Sequence, residues 1–237
     1  MCTSRSYDGL LIIVEGGDGL GKSTQVNILA NHLSEIGLPV DRFDFPNKSG
    51  TPVGSLIGNF LKGDYGDVTP EFLGLAFASD RLAVRDSILE NLQQGRVVIC
   101  DRYVGSNISF QGAKISNLER REKLDTLLRW VEYDLFKLPK PDLEIVLTAS
   151  DSYYHNGAHL VRSISNDRAY IDNRADIHES SVGLQNAVNN YFLGLAESNK
   201  LKKIRIEDAK HCRLTVKELA NKIWHVVDNK LIEEFYV

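Results

Sequence analysis

Hydrophobic and polar positions along this chain follow two alternating rhythms. Short runs of aliphatic and β-branched residues, LLIIVE (10–15), PVDRFDF (39–45), RVVICD (96–101) and DLEIVLTA (142–149), with a weaker KKIRIED at 202–208, read as strands. Between them apolar residues recur at helical spacing, as in Val26, Leu29, Ala30, Leu33 and Ile36, a stretch closed by Gly37 and Pro39. Parallel strands need crossovers, and those crossovers are right-handed. The alternation therefore predicts a three-layer α/β fold, with a central five-stranded parallel sheet and helices on both faces.

Local signals refine the helices. Thr69 is a candidate N-cap for a segment running to Gly95, with Pro70 in its first turn. Ser116 with Glu119 has the spacing of a capping box, opening a helix that should stop before Pro139. From Asp151 to about Asp176 neither rhythm holds, and this stretch after the fourth strand is expected to be a mobile lid. No repeat or low-complexity linker divides the 237 residues, so 1–237 reads as one domain.

Composition narrows the class. With 43% hydrophobic and 25% charged residues the chain can build a substantial core, and disorder is not expected. The 28 basic and 32 acidic residues give a formal net charge of -4, which argues against a nucleic-acid-binding surface, so any phosphate site must be local. Cys2, Cys100 and Cys212 are too few and too scattered for a disulfide framework or a zinc site. No apolar run is long enough for a membrane span, and MCTSRSYDG lacks a secretory hydrophobic segment. A soluble, cytoplasmic protein is expected.

The chemistry begins at GGDGLGKST. Gly16, Gly21, Lys22 and Ser23 satisfy G-x-x-x-x-G-K-[ST], between a buried strand and an amphipathic helix. Glycines let successive backbone N–H groups curl toward one point at the positive end of a helix dipole. Gly19 and Thr24 belong to the same ATP-phosphate cradle, Lys22 would bridge the terminal phosphates, and Ser23 would ligate Mg²⁺. A guanine-reading N-K-x-D is missing, since NKSG, NKLK, NKIW and NKLI all lack the aspartate. Motor and transporter ATPases need more chain. A small-molecule kinase is the economical reading.

Beyond the third strand, Asp101 and Arg102 fall where ligands gather in an open parallel sheet, so a carboxylate for the Mg²⁺ shell and a clamp for phosphate are expected there. A surface ion pair would have the same sequence. Phe77 and Arg81 lie four apart and share a helix face, able to grip a planar ring together. On spacing alone, Phe77 fits a core stripe with Leu73 and Leu82 better.

Taken in order, EGGDGLGKSTQ, FPNKSGTPVG, FASDR, DRYVGSNISFQGAK and LPKPDLEIVLTAS resemble the thymidylate kinase family of P-loop nucleoside monophosphate kinases, from about Leu10 to Ala196. The resemblance implies Mg²⁺-dependent transfer of the ATP γ-phosphoryl to dTMP, and a homodimer. It implies that Asp18 bonds the deoxyribose 3′-hydroxyl and that Arg102 and Lys48 hold the dTMP phosphate. Phe77 would then stack on thymine, Arg81 reach its O4, and Ser106 and Asn107 read the base edge. Phe110 would crowd the position of a ribose 2′-hydroxyl. Many relatives carry an arginine where this chain has Gly19, and the lid then supplies the cation. Arg162, Arg168 and Arg174 are the candidates here, with Arg168 expected to close over the phosphates. Glu179 and Gln185 match loosely the acidic residue and glutamine that follow the lid. Two alternatives stay open: a kinase for another nucleoside monophosphate or a deoxynucleoside, and a nucleotide-binding regulator without turnover.

Overall fold

The computed structural model describes residues 8–47, 50–155 and 181–235. Its five strands, β1 (Leu10–Gly16), β2 (Val40–Asp44), β3 (Val97–Asp101), β4 (Leu143–Thr148) and β5 (Leu201–Arg205), form one sheet in the order β2-β3-β1-β4-β5. Every neighbouring pair is parallel.

Side-chain alternation divides β1 between two cores. Leu10, Ile12 and Val14 join one apolar cluster, together with Leu29 and Leu33 of α1 (Lys22–Glu35) and Ile223 and Val227 of α9 (Val216–Phe235). Leu11 and Ile13 face the other way. They meet Ile88 and Leu92 of α4 (Arg85–Gln93), Ile108 of α5 (Val104–Gly112), and Leu124 and Leu128 of α6 (Leu118–Arg129). A strand buried on both faces explains the unbroken apolar run LLIIV. A satellite cluster joins α2 (Pro52–Leu61) to α3 (Pro70–Leu82) through Ile57, Phe60, Leu61 and Leu73, and α8 (Val182–Gly194) places Val188 and Phe192 against Val146.

Three boundaries differ from the sequence-based expectation. The segment opened by Thr69, whose side chain accepts from Phe72 N, breaks at Ala83–Val84 into α3 and α4. Ile88 and Leu92 thereby turn into the main core while α3 keeps contact with α2. Asn117, not Ser116, caps α6, its side chain accepting from Arg120 N at 2.8 Å. Asp151–His155, expected to be irregular, forms a short helix α7 because Tyr153 and Tyr154 are buried in the cluster of Leu10, Ile12 and Val14. The rest of the expected lid, with Arg162, Arg168 and Arg174, lies outside the described residues, as does Glu179 beyond it.

After α6 the chain continues as a π-helical turn, Trp130–Leu135, before ending ahead of Pro139. Among the described residues no helix is long and apolar enough to cross a membrane.

Candidate active site

At the carboxyl end of β1 the chain turns sharply into α1. Gly16 has φ +134, and a Cβ there would lie 2.4 Å from the Leu147 carbonyl oxygen, so only glycine fits between β1 and β4. Gly21, the N-cap of α1, sits in the left-handed region at φ 96 and directs the chain into the helix. Lys22 then folds back, buried, and donates to Gly17 O at 2.6 Å. Burial pushes its pKa down to about 8, assisted by the Arg102 charge and opposed by Asp18, Asp101 and Glu15. Thr24 follows on the exposed side of the first turn.

Ser23 Oγ donates to Asp101 Oδ2 at 2.6 Å, which ties the loop to the end of β3. The other oxygen of this buried carboxylate, Oδ1, accepts no hydrogen bond. An orphaned carboxylate oxygen beside a hydroxyl suits a hard divalent cation. Among the described residues no group of three or more His, Cys, Asp or Glu forms a metal cage. An ion here would therefore rely on this hydroxyl and carboxylate and otherwise on phosphate and water oxygens, which suits Mg²⁺.

Arg102 holds the left-handed conformation at φ 69, a strained choice for a non-glycine residue. Its guanidinium reaches the Gly16 carbonyl and Ser106 Oγ, both at 3.0 Å, and pairs with Asp18 Oδ1 at 2.5 Å. It also lies over the Phe110 ring, 5.0 Å from the centroid. Ser106, expected at a base edge, has its hydroxyl between Arg102 and Glu15, to which it donates. The Glu15 carboxylate also accepts from the backbone N–H groups of Tyr103 and Ser106 at 2.9 and 3.0 Å. It thus anchors the start of α5, although burial raises its pKa despite those donors. Gln185, from α8, bonds both the backbone N–H and the carboxylate of Asp18.

A second cluster lies behind α5. Arg81 is buried and grips Glu132 of the π turn through Nε and Nη2, at 2.5 and 2.6 Å. Burial works against its charge, but Glu132 outweighs that and holds the Arg81 pKa above its ordinary value. Asn107 Nδ2 donates to the same carboxylate at 2.8 Å and to Gly74 O at 2.9 Å. Phe77, one turn before Arg81, is half-buried beside Leu73 and Phe60, so its ring is neither fully in the core nor fully exposed. Asp80, in FASDR, accepts from Asn47 N at 2.7 Å and Thr51 Oγ1 at 2.6 Å, pinning both flanks of the FPNKSGT loop. Lys48 itself lies outside the described residues.

Four contributors escape sequence reasoning. Glu15 and Glu132 are carboxylates inside apolar runs, LLIIVE and RWVEYDLF, and an acidic residue in such a place is itself a signal. Tyr153 and Arg213 carry none, yet both donate to the Gly19 carbonyl, at 2.9 and 3.1 Å. Arg213 also lies over the Tyr153 ring and donates to its hydroxyl.

A parallel sheet in this order, a glycine loop opening α1, and a buried lysine with a serine–aspartate pair define a P-loop fold of the nucleotide kinase kind. A family model described as thymidylate kinase matches residues 14–219, and the chain belongs to the thymidylate kinase family. It is 37% identical over 143 residues to the thymidylate kinase of Dictyostelium discoideum, covering 60% of this chain and 59% of that one. To the human thymidylate kinase it is 35% identical over 139 residues, 59% of this chain and 60% of the relative. The matched stretch thus spans about three fifths of those two relatives. A Mycobacterium tuberculosis thymidylate kinase is 30% identical over 191 residues, 79% of this chain and 86% of its own. Among solved structures, thymidylate kinase from Candida albicans superposes with a TM-score of 0.68 at 25% identity, covering 95% of this chain and 93% of that one.

Proposed function

We propose that this chain is a thymidylate kinase working as one domain over residues 1–237, transferring the γ-phosphoryl of ATP to dTMP and releasing dTDP and ADP. The observation that supports this most is the Asp18–Arg102 pair, which joins the phosphate loop to the start of α5, the helix that also carries Asn107 and Phe110. Donor and acceptor sites thereby share one rigid frame.

In this reading Gly16, Gly19, Gly21, Lys22, Ser23 and Thr24 hold the ATP phosphates, and Asp18 takes the sugar 3′-hydroxyl. Arg102 and Lys48 take the acceptor phosphate. Phe77, Arg81, Ser106 and Asn107 hold the base, Phe110 excludes a 2′-hydroxyl, and Gln185 supports the site through Asp18. An oxygen of the dTMP phosphate attacks the γ-phosphorus in line while the bond to the β–γ bridging oxygen breaks, leaving ADP. The attacking oxygen is already ionised, so no general base is required. Lys22, Arg102 and a lid arginine, Arg168 foremost, spread the negative charge. Ser23 and Asp101 would hold Mg²⁺, which supplies further charge neutralisation when bound. A homodimer and a cytoplasmic location complete the proposal. Trp130, Leu127 and Leu135, exposed along α6 and the π turn, offer apolar area for a partner copy.

The test is ADP release with dTMP, dUMP, dGMP, dCMP, AMP and thymidine as acceptors. Turnover stimulated chiefly by dTMP is expected; equal stimulation across the panel would sink the assignment while sparing the fold.

A further inference from the structure

Asn107 can present either end of its amide to a ligand, and its neighbours decide which. Nδ2 has two protons, and both are committed: one toward Glu132 Oε1 at 2.8 Å, the other toward Gly74 O at 2.9 Å. Both partners only accept, so a flipped amide would set Oδ1 against two acceptor oxygens. Oδ1, buried, has no hydrogen-bond partner within the protein. The carboxylate that fixes this amide also takes Nε and Nη2 of Arg81, leaving Nη1 as the guanidinium nitrogen not engaged by it. Glu132 is itself fully buried and stands on the π turn, an irregularity of the kind that recurs at functional sites.

We propose that Glu132 is the residue that sets base specificity, by orienting Asn107 and Arg81 together so that the pair shows one acceptor and one donor. This rests on the thymidylate kinase reading above. The resulting pair, an acceptor at Asn107 Oδ1 and a donor at Arg81 Nη1 held by one carboxylate, complements a base edge with a donor N3–H next to an acceptor O4. Thymine and uracil have that edge. Cytosine has the reverse, an acceptor N3 beside a donor amine, and would meet acceptor with acceptor and donor with donor. A site whose buried polar groups are left unpaired by the wrong ligand discriminates strongly. The bound carboxylate also cancels the Arg81 charge, so the pocket selects by hydrogen-bond direction rather than by attraction for any anion. Glu132 touches no substrate in this account; it is a positioning residue.

The experiment compares kcat/KM for dTMP and dCMP in the wild-type chain and in Glu132→Gln. Glutamine keeps the size but can no longer accept from Arg81 and Asn107 at both oxygens, so Asn107 is free to flip. The dTMP preference is expected to fall at least ~10-fold, with the KM for ATP unchanged. A purely structural Glu132 would lower both acceptors by the same factor, and an unchanged ratio overturns the proposal. If the wild-type chain itself shows no turnover with dTMP, the thymidylate kinase reading fails and carries this inference with it; wild-type selectivity with an unchanged ratio in the variant refutes the inference alone. Because a stranded Arg81 can prevent Glu132→Gln from folding, the wild-type protein provides a second measurement, its affinity for dTMP methylated at N3. At least ~10-fold weaker binding than dTMP is expected. Equal binding would mean that Asn107 Oδ1 does not read N3–H, which also overturns the proposal.

Discussion

Gln185 grips Asp18 at two points: its Oε1 accepts from the Asp18 backbone N–H at 2.8 Å, and its Nε2 donates to Asp18 Oδ2 at 2.6 Å. The two residues are 167 positions apart, so α8 is locked onto the phosphate loop by one side chain. With Arg102 on the opposite oxygen, the Asp18 carboxylate is held from both sides.

Gln185→Ala should therefore loosen the loop on its acceptor side. Leaving a buried N–H and a carboxylate oxygen without their partner costs about 1–3 kcal/mol, or several degrees in Tm for a chain of this size. The KM for dTMP should rise about tenfold, more than the KM for ATP, because Lys22 and Ser23 keep their own contacts. Steady-state kinetics and thermal unfolding check both. Equal rises in the two constants would show that Gln185 supports the loop as a whole.

A pH effect on stability comes from Glu144. Burial raises its pKa to about 7, the Glu15 carboxylate adds to this, and Arg129 opposes it. The two acids flank Gly105, where a Cβ would lie 3.0 Å from Glu144 Oε1 and 3.1 Å from Glu15 Oε1. The folded state then binds more protons than the unfolded one between the ordinary value of 4.5 and about 7, so stability falls as pH rises through that window. Glu144→Gln should gain about 1–2 kcal/mol at pH 8, a figure discounted for partial exposure, and nothing at pH 4. Thermal melts at both pH values decide it, and an identical shift at the two would remove the carboxylate as the cause.

Much of this architecture is legible in the sequence for physical reasons. Strands buried on both faces must be apolar throughout, so LLIIV and VVIC announce themselves, and the glycines of the loop are spaced by the geometry of phosphate. What the chain conceals are decisions made by tertiary contact. The break at Ala83–Val84 has no glycine or proline to mark it. Between two adjacent candidate caps, Ser116 and Asn117, local pattern cannot choose. Arg81 reads as a free base-binding cation until Glu132, 51 positions away, is seen to hold it. Nor does any local pattern show that the Ser106 hydroxyl donates to Glu15, 91 positions earlier.

Arg213 is a residue that no local pattern reveals. Its guanidinium donates to Gly19 O, and a Cβ on Gly21 would lie 3.4 Å from its Nη2. A cation therefore stands beside Gly19, supplied from the segment between β5 and α9. Antiparallel pairing with Glu207, and Leu214 N bonded to Ile206 O at 2.8 Å, hold that segment in place. Arg213→Ala should raise the KM for ATP about 3–10-fold and leave that for dTMP within twofold, as expected for one lost charge-assisted contact at the donor loop. An unchanged ATP constant would reduce Arg213 to a packing partner of Tyr153.

Lys22 makes nucleotide affinity depend on pH above neutrality. Its pKa of about 8, below the ordinary 10.5, means that it has lost half its proton occupancy near pH 8 in the free protein. Phosphate oxygens beside it would raise that value, so nucleotide binding takes up a proton wherever free Lys22 is neutral. Affinity should be flat below pH 8 and weaken by up to ~10-fold per pH unit above it, until the pKa of the bound state is reached. The terminal phosphate of ATP is fully ionised well below this range, so it does not contribute the slope. Arg102, Asp18, Asp101 and Glu15 are the charges that face Lys22. Titration calorimetry with ATP at pH 9 in buffers of different ionisation enthalpy measures the uptake directly. A fraction of a proton approaching one is expected there, and little at pH 7. Equal heats in the different buffers at pH 9 would show that Lys22 is already charged before nucleotide arrives.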